Sequence, residues 1–250
     1  MQMHNQSRLI SQMIAVAAII LTLSGGHHSA SATETKAEDG VKLAWQNYLD
    51  GKHKLAAKQL KSLADKNNAP AQNYLGTLYA SGHGVKANPV QAAKWYERAA
   101  KQGFAPAQFN FGFLKLYGAG DGAQRVPDDP KVAAHWLGKS AEQNDSNAQL
   151  LLCRLYHQGL GVNRNYKKAL GLCRQAAQSG LAGAQFELGI LILRSLDTKK
   201  FPEAYQWFLL AAKQNFPGAG HNVRLLAKRL KPDEINQVHK NVENWKPAKP

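Results

Sequence analysis

The chain has 250 residues, of which 32 are Lys or Arg and 17 are Asp or Glu, so its formal net charge at pH 7 is +15. This basic balance favours anionic or acidic partners. The apolar run from Met13 to Leu23 excludes a membrane-spanning helix at that place, because about 20 apolar residues are needed to cross a bilayer. The basic residues are spread along the chain, so they could also serve only to solvate the outer faces of helices.

The first 32 residues have the features of a secretory signal peptide. Arg8 supplies a short basic start, the apolar run follows, and Ala30-Ser31-Ala32 forms an A-x-A cleavage site. We therefore predict cleavage after Ala32 and a mature protein in the periplasm or outside the cell. The adjoining residues 33–40 and the terminal residues 247–250 are predicted to be disordered tails.

A sequence pattern recurs five times between residues 67 and 219. One column of alanines repeats with steps of 36, 41, 36 and 35 residues, and a column of Asn or Gly repeats with the same steps. Self-similarity at a period of about 20 to 50 residues indicates stacked supersecondary units. The alanine column is Ala71, Ala107, Ala148, Ala184 and Ala219, and the Asn/Gly column is Asn67, Gly103, Asn144, Gly180 and Asn215.

Each repeat is predicted to contain two helices. Asn and Gly tolerate the left-handed backbone just past a helix C-terminus, so the Asn/Gly column marks helix ends. Asn88, Asp129 and Asn165 have the positions of N-caps, and Pro89 and Pro130 follow two of them at the first helical position. Apolar residues then recur at helical spacing, as in Ala92, Trp95, Tyr96, Ala99 and Ala100. The repeating unit is therefore a helical hairpin.

Short sequence segments also recur from unit to unit. They include AQNYLGTLY at residues 71–79, GHGV at 82–85 and AAKWY at 92–96, and they extend over roughly residues 40–220. These segments resemble the Sel-one-like repeat (SLR), a relative of the tetratricopeptide repeat. The resemblance implies an all-α, right-handed solenoid (an SLR/tetratricopeptide-like superhelix) of about five antiparallel helical hairpins over residues 41–230. Five extra residues between Lys115 and Pro130 depart from the pattern.

The same resemblance implies a binding groove. In tetratricopeptide packing the first helix of each hairpin lines the concave face, which suits a helix or an extended peptide. We expect Phe113, Arg154 and His157 to take part in surface recognition, whereas Phe109 and Phe186 could equally be core between repeats. The predicted groove residues are Asn73, Thr77, Phe109, Phe113, Leu116, Leu150, Arg154, His157, Phe186, Ile190 and Leu193.

Both cysteines lie in one hairpin. Cys153 occupies the column of Gly76, and Cys173 occupies the column of Tyr96. These columns face each other in the packing that the chain resembles, which implies a Cys153–Cys173 disulfide in an oxidising compartment. The alternative is two free, buried thiols that act as small apolar residues. We predict no metal site, because two sulfurs need further ligands and only His157 is near in sequence.

The repeat pattern ends near residue 230. Residues 231–246 are predicted to form a C-terminal capping helix, since a proline and two acids come first and an apolar stripe follows. The stripe consists of Ile235, Val238, Val242 and Trp245. Such a helix covers the open end of a solenoid.

No catalytic motif is present in the sequence. G-x-S-x-G, H-E-x-x-H and S-x-x-K are all absent, and the glycine-rich stretch at residues 118–122 lacks the Lys-Ser/Thr of a phosphate loop. We predict a monomeric, non-enzymatic adaptor or scaffold of the bacterial cell envelope that binds a protein or peptide, without a cofactor and without nucleic acid. The alternatives are an envelope enzyme or regulator acting on peptidoglycan or a β-lactam, and a binder of an anionic cell-wall polymer or lipid surface.

Overall fold

The computed structural model describes residues 32–248, and this part of the chain is all-α. It contains twelve α-helices, two short 3-10 turns and no β-strand. The first six helices are α1 (Ala32–Leu49), α2 (His53–Asp65), α3 (Ala69–Ser81), α4 (Pro89–Lys101), α5 (Ala105–Tyr117) and α6 (Pro130–Glu142). The last six are α7 (Ser146–Gln158), α8 (Tyr166–Gln178), α9 (Ala182–Arg194), α10 (Phe201–Lys213), α11 (Ala219–Ala227) and α12 (Pro232–Asn244).

The helices form two compact units that meet in the chain between Trp136 and Leu137, inside α6. In the first unit, α1–α2 and α3–α4 are hairpins, and α5 packs on α4. In the second unit, α7–α8 and α9–α10 are hairpins, and α11 and α12 both pack on α10. Within each unit, consecutive hairpins therefore pack neighbour to neighbour, and the predicted all-α fold of helical hairpins is confirmed.

The backbone at the helix ends follows the sequence prediction. The five residues of the Asn/Gly column have φ angles between 57° and 95°, which is the left-handed conformation that ends a helix. At the predicted N-caps, the side-chain oxygen of Asn88 accepts a hydrogen bond from the Gln91 amide at 2.9 Å. Asp129 and Asn165 accept equivalent bonds at 3.0 Å and 2.9 Å. Local residue chemistry therefore sets where these helices begin and end.

A buried glutamine recurs at the fourth position of α3, α5, α7 and α9. Its side-chain amide donates to the carbonyl of the penultimate residue of the preceding helix, one of the carbonyls left without an intrahelical partner. The four bonds are Gln72 to Ala64, Gln108 to Ala100, Gln149 to Ala141 and Gln185 to Ala177, with distances of 3.1, 3.3, 3.4 and 3.4 Å. Each bond ties one hairpin to the next.

The first described helix is longer than predicted. It begins at Ala32, so residues 33–40, predicted to be a disordered tail, are helical in the structure. The segment contains several good helix formers, and extending a helix already packed at Val41 and Ala44 costs little compared with starting one. The predicted signal peptide spans residues 1–32. Residues 1–31 lie outside the described part of the chain, and Ala32 is the first residue of α1.

The capping helix predicted over residues 231–246 corresponds to α12. Val238 and Val242 are buried against the apolar cluster of the second unit, and Ile235 and Trp245 pack at its edge. The polar side of α12 remains exposed. Within residues 32–248, no helix has the length and apolarity required to cross a membrane.

Candidate functional site

In the first unit, two of the predicted groove residues lie inside the helix packing. Asn73 and Thr77 are each only 2 % exposed. The Asn73 side chain accepts a hydrogen bond from the Asn110 amide at 2.9 Å, and the Thr77 hydroxyl accepts one from the Tyr96 hydroxyl at 3.2 Å. These bonds hold α3 against α4 and α5, so neither side chain forms an open recognition surface.

The aromatic residues of α5 are also more buried than predicted. Phe113, expected to be a recognition residue, is 8 % exposed because its ring lies between Phe109 at 5.9 Å and Tyr117 at 4.7 Å. Phe109 and Leu116 are partly buried. Tyr117 is 50 % exposed and is the most accessible ring of this row, although the sequence prediction did not include it.

In the second unit, the apolar residues of the predicted groove are neither fully buried nor fully exposed. Leu150, Ile190 and Leu193 are partly buried along α7 and α9. Phe186 packs against Phe208 and Phe216, with ring centroids 5.5 Å and 5.1 Å away. The Phe186 ring therefore contributes to packing between hairpins, which was the alternative considered for it.

A charged pair connects α7 to α9. Arg154 Nε lies 3.2 Å from Glu187 Oε2, and the two side chains are 38 % and 20 % exposed. Because the pair is partly shielded from solvent, salt screens it less than a fully exposed pair. Glu187 was not among the predicted site residues. It lies on α9, in the repeat that follows the one containing Arg154.

His157 lies on α7, one turn beyond Arg154, and it contacts Arg194 at the end of α9. It is 9 % exposed, and Arg194 Nη1 is 3.4 Å from its Nε2 atom. Burial lowers the pKa of His157, and the positive charge of Arg194 lowers it further, against an opposing effect from Glu187. The neutral imidazole can then accept a hydrogen bond from Arg194. We call the set Leu150, Arg154, His157, Glu187, Ile190, Leu193 and Arg194 the α7–α9 face.

We expect the pKa of His157 to lie below about 6.5, the ordinary value for histidine. The unfolded chain then binds a proton at higher pH than the folded protein does. His157 therefore contributes stability above pH of about 6.5 that is lost as pH falls through the folded pKa. An NMR titration of the imidazole C–H signals, assigned with His157→Gln, measures the midpoint. A midpoint at or above 6.5 would contradict this environment.

The predicted disulfide is confirmed. Cys153 in α7 and Cys173 in α8 are bonded, with their Cα atoms 5.5 Å apart, and both residues are fully buried. The bond joins the two helices of one hairpin. Among residues 32–248, no group of three or more His, Cys, Asp and Glu side chains has an arrangement that could hold a metal ion.

The Sel1 repeat pattern matches four consecutive stretches, residues 69–104, 105–145, 146–181 and 182–216. The stretches begin where α3, α5, α7 and α9 begin, so each match is one hairpin. The chain belongs to the Sel1 repeat family. The resemblance found in the sequence is thereby confirmed, and the five extra residues account for the longer second Sel1 repeat.

Solved structures of other Sel1 repeat proteins have the same fold. A Sel1 repeat protein from Oxalobacter formigenes is 30 % identical, with a TM-score of 0.68 and 82 % of each chain covered. A protective antigen present in uropathogenic Escherichia coli strains, described as displaying an SLR fold, is 27 % identical with a TM-score of 0.73. That match covers 84 % of this chain and 45 % of the antigen.

Curated relatives include regulatory proteins. The exopolysaccharide production negative regulator of Rhizobium meliloti is 25 % identical over 168 residues, which are 64 % of this chain and 63 % of that protein. The chain spans between 15 % and 63 % of the length of three curated relatives that it matches.

Proposed function

We propose that this Sel1 repeat protein is an exported adaptor of the bacterial cell envelope that binds a protein or peptide partner on the α7–α9 face. Sel1 repeats imply a protein-interaction scaffold. The observation that carries the proposal is the mixture on this face, where the Arg154–Glu187 pair lies among the partly exposed aliphatic side chains of Leu150, Ile190 and Leu193. Arginine is enriched at the residues that dominate protein interfaces, and the buried centre of an interface is more apolar than the rest of the surface.

Two observations support an exported location. The Cys153–Cys173 disulfide suits an oxidising compartment, where such bonds form and persist. The sequence before Thr33 has the order of a signal peptide, with a basic start, an apolar run and an A-x-A site. The relative named for negative regulation of exopolysaccharide production supports an envelope-related role.

The binding face is tested by comparing variants of the mature protein as baits in an envelope extract. Arg154 and Ile190 occupy the same position in consecutive repeats, so Arg154→Gln with Ile190→Ser alters two adjacent parts of the face. We expect recovery of the specific partner to fall about tenfold, which corresponds to about 1.4 kcal/mol. Quantitative mass spectrometry measures it.

The matched control for this experiment is Gln175→Ser, on the exposed side of α8. The control should retain the partner. If the control and the double variant recover every partner equally, the proposed face is wrong. Circular dichroism of each bait shows whether the helices are intact.

The same experiment separates the adaptor from a binder of anionic polymer. Apolar recognition should persist when the wash is raised from about 0.15 M to about 0.6 M salt, because only exposed charges are strongly screened. If the amount of bound partner falls steadily as the salt concentration rises, the result would instead favour an anionic cell-wall polymer as the partner.

A further inference from the structure

The second unit contains an open cleft that the proposed binding face does not use. Its volume is about 610 Å³, and it lies between the 3-10 turn at residues 198–200, the start of α10 and the junction of α11 with α12. The lining residues are Thr198, Lys199, Phe201, Arg229, Leu230, Lys231 and Glu234. Three of these seven side chains are cationic and one is anionic.

The three cations lack carboxylate partners. Lys199, Arg229 and Lys231 are exposed, and no ion pair within 4.0 Å joins any of them to an acid in the described part of the chain. The adjacent Lys200, by contrast, pairs with Asp197 at 3.5 Å. The charges around the cleft are therefore mutually repulsive, and an anion placed among them would lower that repulsion.

Glu234 does not neutralise the cleft by itself. Its carboxylate accepts a hydrogen bond from the Lys231 backbone N–H at 2.8 Å, which fixes it at the first turn of α12. One acid thus faces three cations, and the lining keeps a positive balance.

Helix-end electrostatics do not account for all three cations. Cations are favourable at the C-terminus of a helix, which suits Arg229, two residues after the end of α11. Lys231, however, precedes the N-terminus of α12, where a cation is unfavourable, and Lys199 comes from a separate turn. Favourable interactions with helix ends therefore do not explain why these three cations lie together.

The walls of the cleft are suited to a small organic molecule. Phe201 and Leu230 are partly buried at the edge of the apolar cluster, and Thr198 adds a hydroxyl. Ligand sites typically enclose about 300–1,000 Å³ and combine apolar walls with a few polar groups that fix orientation. Arginine can hold a phosphate or a carboxylate with two parallel hydrogen bonds, and lysine adds a point charge.

We propose that this cleft binds a sugar-sized molecule, or the end of a longer one, through a phosphate or carboxylate group held by Lys199, Arg229 and Lys231. The apolar face of the sugar would pack on Phe201. The proposal does not depend on the proposed adaptor function, because none of the cleft residues belongs to the α7–α9 face.

Isothermal titration calorimetry with glucose 6-phosphate, glucuronate and neutral glucose tests the proposal. We expect saturable binding of at least one anionic sugar and none of glucose, and the preferred anion identifies the acid group. The triple variant Lys199→Gln, Arg229→Gln and Lys231→Gln should weaken this binding at least about tenfold.

A control with the same loss of charge is available in the first unit, where Lys58→Gln, Lys86→Gln and Lys94→Gln change three exposed lysines. This variant should bind within about twofold of the natural protein. The proposal is overturned by equal weakening in both triple variants, by glucose binding as tightly as the anionic sugars, or by no saturable binding of either anion to the natural protein.

Discussion

Replacing Cys153 and Cys173 together by alanine is expected to lower the free energy of unfolding by about 3–5 kcal/mol. The disulfide joins residues 20 positions apart and so removes conformations from the unfolded chain, an effect of about 3 kcal/mol for a loop of this length. The two side chains are also fully buried, so the smaller alanines lose packing contacts. Urea denaturation under oxidising conditions should show a midpoint lowered by about 1 M or more.

Chemical reduction distinguishes the stability contributed by the disulfide bond from that contributed by packing of the two side chains. Dithiothreitol should lower the urea midpoint of the natural protein to near that of the double variant. It should leave the midpoint of the double variant unchanged. Thiol titration of the denatured, unreduced mature protein should detect no reactive thiol in a monomer. Two thiols per chain, or equal urea midpoints for the oxidised natural protein and the double variant, would contradict the role of the bond.

Gly189→Ala is expected to destabilise the protein by about 1–3 kcal/mol, although alanine is normally the better helix former. A Cβ atom at this position would lie 2.8 Å from ring atoms of Phe208, which is completely buried. The ring cannot move away without disturbing the core of the second unit. Urea denaturation of the variant measures the change.

Gly171→Ala is the matched control in α8. A Cβ at Gly171 meets no atom within 4 Å, so this substitution should stabilise by about 0.5–1 kcal/mol through helix propensity. Adding Phe208→Leu to Gly189→Ala should cost less than the sum of the two single changes, because the smaller side chain relieves the contact. A stabilising effect of Gly189→Ala comparable to that of Gly171→Ala would show that close helix packing is absent.

The glycine column explains why the cysteines could be paired from the sequence. Gly76 faces the ring of Tyr96 and Gly189 faces the ring of Phe208, so a small residue on the first helix meets a large one on the second. Cys153 takes the small position and its partner takes the large one. The repeat period aligns these columns from one hairpin to the next, and the resemblance to the Sel-one-like repeat implied that the two columns face each other.

Helix ends were predictable for a local reason. The left-handed backbone after a helix and the side-chain bond of an N-cap depend on one or two residues, so Asn67, Gly103 and Asn88 could be assigned from residue type. The recurring glutamines were visible as Ala-Gln pairs, but their role was missed. It depends on a carbonyl eight residues earlier in the chain, at the end of another helix.

The depth of each groove residue was not predictable in this way. Thr77, Phe113 and Arg154 occupy one column, yet the first two are buried and Arg154 is partly exposed. Burial at this column is decided by neighbours, since the Tyr96 hydroxyl covers Thr77 and two rings enclose Phe113. The repeat period identifies which face a residue occupies, whereas side chains from adjacent helices determine whether a ligand can reach it.

Photo-crosslinking from position 190 tests recognition on the α7–α9 face most directly. Benzoylphenylalanine would replace Ile190 in one protein and Gln175, on the exposed side of α8, in another. After irradiation of the mature protein in envelope extract, we predict that position 190 forms an adduct with the partner recovered by the natural bait and that position 175 does not. An adduct with that partner from position 175 and none from position 190 would contradict binding on this face.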